Sequence, residues 1–349
     1  MAGEVNVVYR NSLIVYTLSH FCVDFSCFFM LFAWHSSGTH SDKAATLGFL
    51  AYNVTAFGLQ PLIGYFCDAH RKTPVEAIGC FLLIAGLFFM QCPAASIALI
   101  GLGNACFHVG GGIDCLRNAG GKMARSGVFV SAGALGVGVG TLAGKGGSLP
   151  VYVPMGILAL CTVLIFAFCI RHKETSNEKA VFSVTKPEAG FGAIVFLPSV
   201  SIAVRSFAGS IILAQAAWRT TPAFFLFPAL GAFLGKASGG FLADSIGARK
   251  VAVFSLLSSS VLLAFWYASP WAFIIGIALF NMNMPVTLCA IASVLPRCPG
   301  LSFGITTLAL LCGNVPTFFM SVANPSAVFA VLTVVSALCL CFVLDGKAR

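Results

Sequence analysis

The chain has 349 residues, of which 58% are hydrophobic and only 9% are charged, and its mean hydropathy is +0.95. Soluble domains carry about 25% charged residues, so this composition excludes a large water-exposed domain and indicates an integral membrane protein. The formal net charge is +9, but the basic residues cluster in short loops on one side. That placement is typical of membrane topology and not of nucleic-acid binding, so membrane lipid is the expected partner and nucleic acid is not.

Twelve apolar segments follow one another along the chain, each close to the roughly 20 residues that a membrane-spanning helix needs. They cover residues 12–34, 44–67, 74–91, 94–116, 126–144, 150–170, 191–214, 220–243, 250–268, 271–294, 302–322 and 325–344. The longest polar stretch, 171–179, separates the sixth segment from the seventh. We therefore predict an all-α membrane protein with twelve transmembrane helices in two six-helix bundles, residues 1–170 and 189–349, joined by a linker at 171–188.

Lysine and arginine are distributed unevenly between the two sides of these segments. Fifteen lie on one side, and three, Lys43, Lys145 and Arg219, lie on the other. Because basic residues favour the cytoplasmic side, we predict that both termini and the linker face the cytoplasm. The protein is expected to be a monomer in the inner (cytoplasmic) membrane, which it would cross many times.

The fourteen cysteines lie mostly inside apolar segments, where cysteine behaves as a small hydrophobic residue. The chain has no Cys-x-x-Cys pattern and no Cys/His spacing typical of zinc sites. We therefore expect no metal and no cofactor.

A short pattern occurs twice, about half the chain apart. It covers residues 64–72 and 239–250, and its aspartates, Asp68 and Asp244, are 176 positions apart. Each copy has a glycine, three residues, an aspartate and then a basic pair. A repeat at half-chain spacing indicates two similar halves, which in an apolar chain favours a transporter built from two bundles around a central site.

This repeat resembles the loops between helices 2 and 3, and between helices 8 and 9, of the major facilitator superfamily. The first copy lacks the glycine that the family has between the aspartate and the basic pair. The resemblance implies the major facilitator fold and a conformational latch on the cytoplasmic side. The latch residues would be Asp68, Arg71, Lys72, Asp244, Arg249 and Lys250. Alternatively, the basic residues only obey the positive-inside rule.

Two residues near the middle of predicted helix 1 are costly there, since a charge at mid-membrane costs about 2.5–3.5 kcal/mol on insertion scales. Asp24 and His20 are four positions apart and so share a face of the helix. A carboxyl group in a low-dielectric cavity favours its protonated form, so Asp24 is the predicted proton carrier. The alternative is a buried aspartate held by a partner on another helix.

Arg205 lies near the middle of predicted helix 7, which lines the central cavity of a two-bundle transporter together with helix 1. Arginine stays charged and binds carboxylates or phosphonates with a bidentate fork, so Arg205 is predicted to anchor an anionic substrate. A permanent ion pair with Asp24 is the alternative, and both hold if substrate and proton compete. His20, Gln60 and His108 are predicted to line the same cavity, and Lys236 to form a gate.

Predicted helix 5 is rich in glycine, which gives a smooth face for close helix packing. The spacing of Gly127, Gly136, Gly140, Gly144 and Gly147 also resembles the glycine motif of major facilitator antiporters, although Thr141 stands where that motif has proline.

Several strings in chain order resemble the fosmidomycin-resistance branch of the superfamily. They include residues 20–25, 60–65, 103–108 and 204–206 together with helix 5. This resemblance implies proton-coupled export of small polar or drug-like compounds, although Val109 replaces the proline that the branch usually has after His108.

We therefore expect a secondary active transporter that moves a small polar, anionic or drug-like solute by alternating access, as a proton-coupled exporter. A proton-coupled organic-anion importer is the alternative, and a non-transporting receptor is a distant one. An enzyme is not expected, because it would need a cluster of catalytic or metal-binding side chains. The six histidines are instead scattered over both sides and the middle of the predicted membrane region.

Overall fold

The computed structural model describes residues 2–170 and 179–347, and α-helices make up most of this part of the chain. No β-strand occurs in those residues, which contain one isolated antiparallel bridge between Thr185 and Leu344. Residues 171–178 of the predicted linker lie outside the described residues.

Seven α-helices precede the linker, and a π-helical turn, Val54–Gly58, separates the second from the third. They are α1 (Ala2–Ser36), α2 (Asp42–Asn53), α3 (Gln60–Ala69), α4 (Val75–Phe88), α5 (Pro93–Arg117), α6 (Met123–Gly146) and α7 (Tyr152–Phe168).

Seven more follow it: α8 (Phe191–Gln215), α9 (Phe227–Ile246), α10 (Ala248–Phe265), α11 (Pro270–Asn281), α12 (Asn283–Val294), α13 (Pro299–Asn314) and α14 (Pro325–Val343). Proline stands in the first turn of six of these fourteen helices at least, for example in α5, α11 and α14, where its missing N–H costs no helical hydrogen bond.

Each of the twelve predicted segments lies mainly on helical backbone, but two of them are interrupted. Segment 44–67 is broken by the π-helical turn between α2 and α3, and segment 271–294 is broken at Met282, between α11 and α12. Segment 302–322 extends too far, because α13 ends at Asn314 and a 3-10 turn, Val315–Phe318, follows. Nine helical stretches of the described chain are long and apolar enough to cross a membrane, and the number that do so stays a prediction.

The chain divides into two compact units. Unit 1 contains Met1–Asn118, Ala132–Glu178 and Arg297–Gly304, and unit 2 contains Ala119–Ser131, Lys179–Pro296 and Ile305–Arg349. The start of α6 therefore belongs to unit 2 and the start of α13 to unit 1. The predicted bundle boundaries at 170 and 189 stay a prediction.

The two copies of the repeated pattern end their helices differently. In the second copy Gly247 adopts a φ of 100°, which ends α9 and lets α10 begin at the next residue. In the first copy His70 follows α3 with a φ of −116°, and α4 begins only at Val75. The glycine that the first copy lacks is therefore the residue that makes the abrupt turn in the second.

Candidate functional site

A buried polar cluster in unit 1 contains the predicted proton carrier. His20 and Asp24 lie one turn apart on α1, and His20 Nε2 is 3.3 Å from Asp24 Oδ2. The two residues are only 4% and 8% exposed. The i, i+4 spacing in the sequence was therefore sufficient to place this imidazole beside the carboxylate.

Helix α5 supplies the rest of the cluster. Asn104 Nδ2 donates a 2.9 Å hydrogen bond to Asp24 Oδ1, and His108 Nε2 lies 3.7 Å from the same oxygen. His108 Nδ1 is 2.9 Å from the backbone carbonyl of Asn104, and because a carbonyl only accepts, Nδ1 carries the proton that is donated. In the neutral ring Nε2 therefore faces Asp24 without a proton. We call Asp24, His20, His108 and Asn104 the Asp24 cluster.

The glycines of α6 bring this helix close to the cluster. A Cβ atom on Gly133 would collide with the Asp24 carboxylate and with His20, and one on Gly136 would lie 3.1 Å from Asp24 Cβ. Further along, Gly140 and Gly144 approach the backbone of α1 at Phe25 and Phe29. The predicted smooth face of this glycine-rich helix thus packs against α1, and it leaves no room for a larger side chain beside Asp24.

The chemistry of the Asp24 cluster is that of a carboxylate between two imidazoles. The rings of His20 and His108 meet edge to face, with centroids 4.4 Å apart, so a proton on either ring would lie close to the carboxylate. Asn104 Oδ1 is buried without a described hydrogen-bond partner, and buried polar atoms are normally bonded. The cluster thus offers an acceptor beside the carboxylate.

The same side chains come nearest to a metal-binding set in the described part of the chain. One donor atom each from His20, Asp24 and His108 lies within 4.8 Å of the others, and two imidazoles with one carboxylate suit a transition metal. Contacts between the imidazoles and the carboxylate account for this geometry as well. The expectation that the chain uses no metal stays a prediction.

Unit 1 also contains a buried contact between Tyr16 and two acidic side chains that the sequence did not predict. The Tyr16 hydroxyl on α1 donates a 2.7 Å hydrogen bond to Asp114 Oδ2 and lies 3.3 Å from Glu76 Oε1. Glu76 is completely buried although it stands in the first turn of α4. Glu76 stands near the start of predicted segment 74–91, next to the basic residues at 71 and 72, and this position gave no signal that it would be buried.

Arg205 lies in unit 2, on α8. Its Nη1 is 3.5 Å from the carbonyl of Phe280, and its Nη2 is 3.4 Å from Thr287 Oγ1. The structure thus buries Arg205 within its own unit, and its role as an anchor for an anionic substrate stays a prediction. Its predicted pairing with Asp24, which lies in unit 1, stays a prediction.

Asp68, at the end of α3, binds the start of α13 within unit 1. Its two carboxylate oxygens accept hydrogen bonds of 3.0 and 2.9 Å from the backbone N–H groups of Gly300 and Leu301. Arg117 Nη2 is 3.7 Å from the same carboxylate. Burial raises the pKa of Asp68 above its ordinary range, although these N–H groups and Arg117 act in the opposite direction.

Asp244, at the end of α9, makes the equivalent contact within unit 2. It accepts hydrogen bonds of 2.9 and 3.0 Å from the backbone N–H groups of Met123 and Ala124 at the start of α6. Gly240, one turn earlier, lies so close to this helix that a Cβ atom would be 2.6 Å from the Met123 carbonyl. Both copies therefore place a carboxylate on the unsatisfied N–H groups of a helix start, where negative charge is favoured.

The other predicted residues have separate surroundings. Gln60 is buried, and its amide donates a 2.7 Å hydrogen bond to the carbonyl of Ala56, in the π-helical turn before α3. No described contact joins it to the Asp24 cluster.

The basic residues of the predicted latch and gate lie elsewhere. Arg249 Nη2 lies 3.1 Å from Cys341 Sγ. Lys236 is on α9, and Lys250 is on α10. Arg71 and Lys72 lie in the turn between α3 and α4.

No protein-family model matches the chain, and no curated protein matches it. Solved structures do match over nearly the whole length. The E. coli fucose:proton symporter FucP has a TM-score of 0.72 at 12% identity, covering 96% of this chain and 98% of that chain. The human organic anion transporter MFSD10 (TETRAN) has a TM-score of 0.65 at 14% identity, covering 95% and 98%.

A further structure of FucP, described as a Major Facilitator Superfamily transporter in the outward conformation, has a TM-score of 0.62 at 12% identity, covering 92% and 98%. At such identities the likeness shows the fold alone. The chain therefore has the all-α fold of major facilitator transporters, as its repeated pattern predicted. These neighbours are transporters and not enzymes, in line with the expectation for this chain. The resemblance to the fosmidomycin-resistance branch stays a prediction.

Proposed function

We propose that this protein is a secondary active transporter that moves a small polar, anionic or drug-like solute across the membrane by alternating access, coupled to protons. The observation that carries the proposal is the position of Asp24, a carboxylate held between two imidazoles in the buried part of an apolar helix. An ionisable group there is costly, and the side chains on both sides of it are imidazoles, the type that commonly serves as a proton shuttle in proteins. The transporter fold supports the same conclusion.

Each predicted residue has a role in this proposal. Asp24 loads and releases the proton, and His20 and His108 adjust its charge. Arg205 binds an anionic group of the solute, while Gln60 lines the path and Lys236 gates it. The carboxylates of Asp68 and Asp244 hold helix starts and, with Arg71, Lys72, Arg249 and Lys250, form the latch that opens and closes. The protein would act as a monomer in the inner membrane, with both termini in the cytoplasm.

Export is the proposed direction, because the glycine spacing of α6 resembles that of antiporters. Import by proton symport is the second candidate, and a specific observation favours it: one of the solved structures with this fold is a fucose:proton symporter. The organic anion transporter among the neighbours is consistent with an anionic solute in either direction. A receptor that does not transport is the distant alternative.

The test uses purified protein in liposomes that contain a pH-sensitive dye. Small organic acids, phosphonates and cationic drugs are added in turn to vesicles with wild-type protein and with Asp24→Asn. Proton movement that depends on one of these compounds is expected for the wild type and is expected to be lost in the variant, which should keep solute exchange. Asp42→Asn, which changes an exposed aspartate in the first turn of α2, is the matched control.

The direction of proton movement relative to the solute separates export from import. A pH-gradient dependence that persists in Asp24→Asn would contradict the role of Asp24. Addition of Zn²⁺ or of a chelator to the same vesicles tests whether a metal at the imidazoles changes the result.

A further inference from the structure

Arg205 is a buried cation whose hydrogen-bonding capacity is largely unused within unit 2. It is 5% exposed, and its Nε has no described hydrogen-bond partner. Its two other hydrogen bonds are long, at 3.5 and 3.4 Å, and no acidic residue of unit 2 forms a described ion pair with it. A guanidinium has five N–H donors, and a buried charge is costly unless it is paired. Such a side chain points to an anionic ligand.

A pocket of about 250 Å³ lies beside this guanidinium, within unit 2. It is bounded by residues of α8, α9, α11, α12 and α13, and we call it the Arg205 pocket. Most of its wall is apolar: Ile202, Leu213, Ile277, Phe280, Met284 and Leu310. Arg205 is the one charged residue of this wall in the described chain.

The few other polar groups of the wall are used within the fold. Ser206 Oγ donates a 2.8 Å hydrogen bond to the carbonyl of Leu310, and Ser210 Oγ donates a 3.0 Å bond to the carbonyl of Ser206. The amide of Asn281 donates to the carbonyl of Ile277 at 2.9 Å. A sugar or another polyol needs many partners to replace its bonds to water, and this pocket offers few. A cation would be repelled by Arg205.

The single guanidinium also limits the number of negative charges that the ligand can carry. One guanidinium can bind one carboxylate through two parallel N–H···O bonds, which neutralises a single negative charge. A dianion would leave a second negative charge without a partner in this wall, and an unpaired charge on an apolar surface is unfavourable. The geometry therefore favours an organic anion with one charge.

Resting on the transport function proposed above, we propose that the Arg205 pocket binds a small organic acid with one negative charge. Its carboxylate lies on the Arg205 guanidinium, and its hydrocarbon body packs against Ile202, Phe280 and the rest of the apolar wall. The pocket, at about 250 Å³, has room for a small acid such as benzoate or hexanoate.

Gly209 keeps room for this ligand. It lies one turn after Arg205 on the same face of α8 and lines the pocket. A Cβ atom at this position would be 3.3 Å from Phe280 Cε1, so a branched side chain would occupy the space beside the guanidinium. Gly209→Val therefore narrows the pocket and leaves the Arg205 guanidinium unchanged.

Calorimetric titration of purified protein in detergent tests the proposal with benzoate as the probe. Benzoate is expected to bind at least about tenfold more tightly than its neutral isostere benzamide, the dianion phthalate and the cation benzylamine, a difference of about 1.4 kcal/mol or more. Equal binding of benzamide, or no binding of benzoate, would overturn the proposal. Hexanoate and palmitate distinguish a soluble acid from a lipid acid of the membrane, and tighter binding of palmitate would overturn the assignment to a small acid.

Variants show whether the pocket is the site. Arg205→Met and Gly209→Val are each expected to weaken benzoate binding about tenfold or more. Gly192→Val is the control, because a side chain at that position of α8 meets nothing within 4 Å. If Arg205→Met does not fold, Gly209→Val and Arg205→Lys, which keeps a charge without the bidentate fork, decide the question. Unchanged binding in these variants would overturn the proposal.

This test is independent of the transport assay, because binding in detergent needs neither a proton gradient nor Asp24. Benzoate binding without any proton movement in liposomes would contradict the proposed function alone. Proton-coupled transport by a protein that does not bind benzoate would contradict the pocket assignment alone.

Discussion

Asn104 donates a hydrogen bond of 2.9 Å to the carboxylate of Asp24, 80 positions earlier in the chain. Its backbone carbonyl accepts the Nδ1 proton of His108 at the same time, also at 2.9 Å. One residue of α5 therefore orients both the carboxylate on α1 and the imidazole that faces it. This double role makes Asn104 the best position at which to disturb the Asp24 cluster without changing an ionisable group.

Asn104→Ala is expected to remove the bond to Asp24 and to keep the backbone bond to His108. Because a buried carboxylate then loses a donor, the free energy of unfolding should fall by about 1–3 kcal/mol, and proton-coupled transport should fall with it. Asn53→Ala is the control, because the Asn53 amide bonds the carbonyl of Phe49 in its own helical turn. Equal losses of transport in both variants would contradict the role of Asn104.

Gly140→Ala is expected to destabilise the packing of α6 against α1. The new Cβ atom would lie 2.9 Å from Phe25 Cα, and because backbone cannot yield as a side chain does, the overpacking should cost about 1–3 kcal/mol. Gly156→Ala on α7, where a Cβ atom meets nothing within 4 Å, should instead be neutral or stabilising. Thermal unfolding in detergent measures both, and a stabilised Gly140→Ala protein would refute the close contact.

Asp68→Ala and Asp244→Ala are expected to loosen two different helix starts. Loss of a carboxylate that accepts backbone N–H groups at a helix start costs about 0.5–2 kcal/mol. Hydrogen exchange should become faster at Gly300 and Leu301 in the first variant and at Met123 and Ala124 in the second. Each variant serves as the control for the other, and faster exchange at the wrong helix start would argue against the assignment.

The contact of Asp68 is also expected to depend on pH. Burial raises the pKa of Asp68 in the folded protein, so the folded state binds the carboxyl proton more tightly than the unfolded state does. The stabilisation that results is fully present below the ordinary pKa of about 3.9 and is lost as the pH rises through the raised value. Asp68→Asn does not titrate. The melting temperature of this variant minus that of the wild type should therefore increase from acid to neutral pH, and a decrease would show that the sign is wrong.

Local signals predicted several helix positions correctly. Predicted segments 94–116, 271–294 and 325–344 begin within one residue of α5, α11 and α14, and each of these helices starts with a proline, which fits the first turn of a helix. The i, i+4 spacing of His20 and Asp24 predicted that they share a face of α1, and helical geometry brings residues at this spacing together. The repeated pattern predicted the major facilitator fold.

Other contacts had no local signal. Gln60 is polar and was predicted to line the cavity, but its amide donates a hydrogen bond to the backbone carbonyl of Ala56, four residues earlier. Glu76 follows a basic loop and a proline, yet it is completely buried near Tyr16. The outcome in both cases depends on which neighbouring groups the packing supplies, and a single sequence does not contain that information.

The sequence by itself determined that this is an apolar chain of helices, that a short pattern occurs twice at half-chain spacing, and that a few ionisable residues lie inside apolar segments. Only the tertiary structure decided that Asn104 and His108 of α5 complete the site of Asp24, that Asp68 and Asp244 bind the starts of α13 and α6, and that Arg205 stands beside an apolar pocket. The physical reason is that composition and helical periodicity act within one segment, whereas hydrogen bonds and pockets between helices depend on backbone approach. Glycine-rich faces such as that of α6 permit this approach, but the sequence does not show which partner helix they meet.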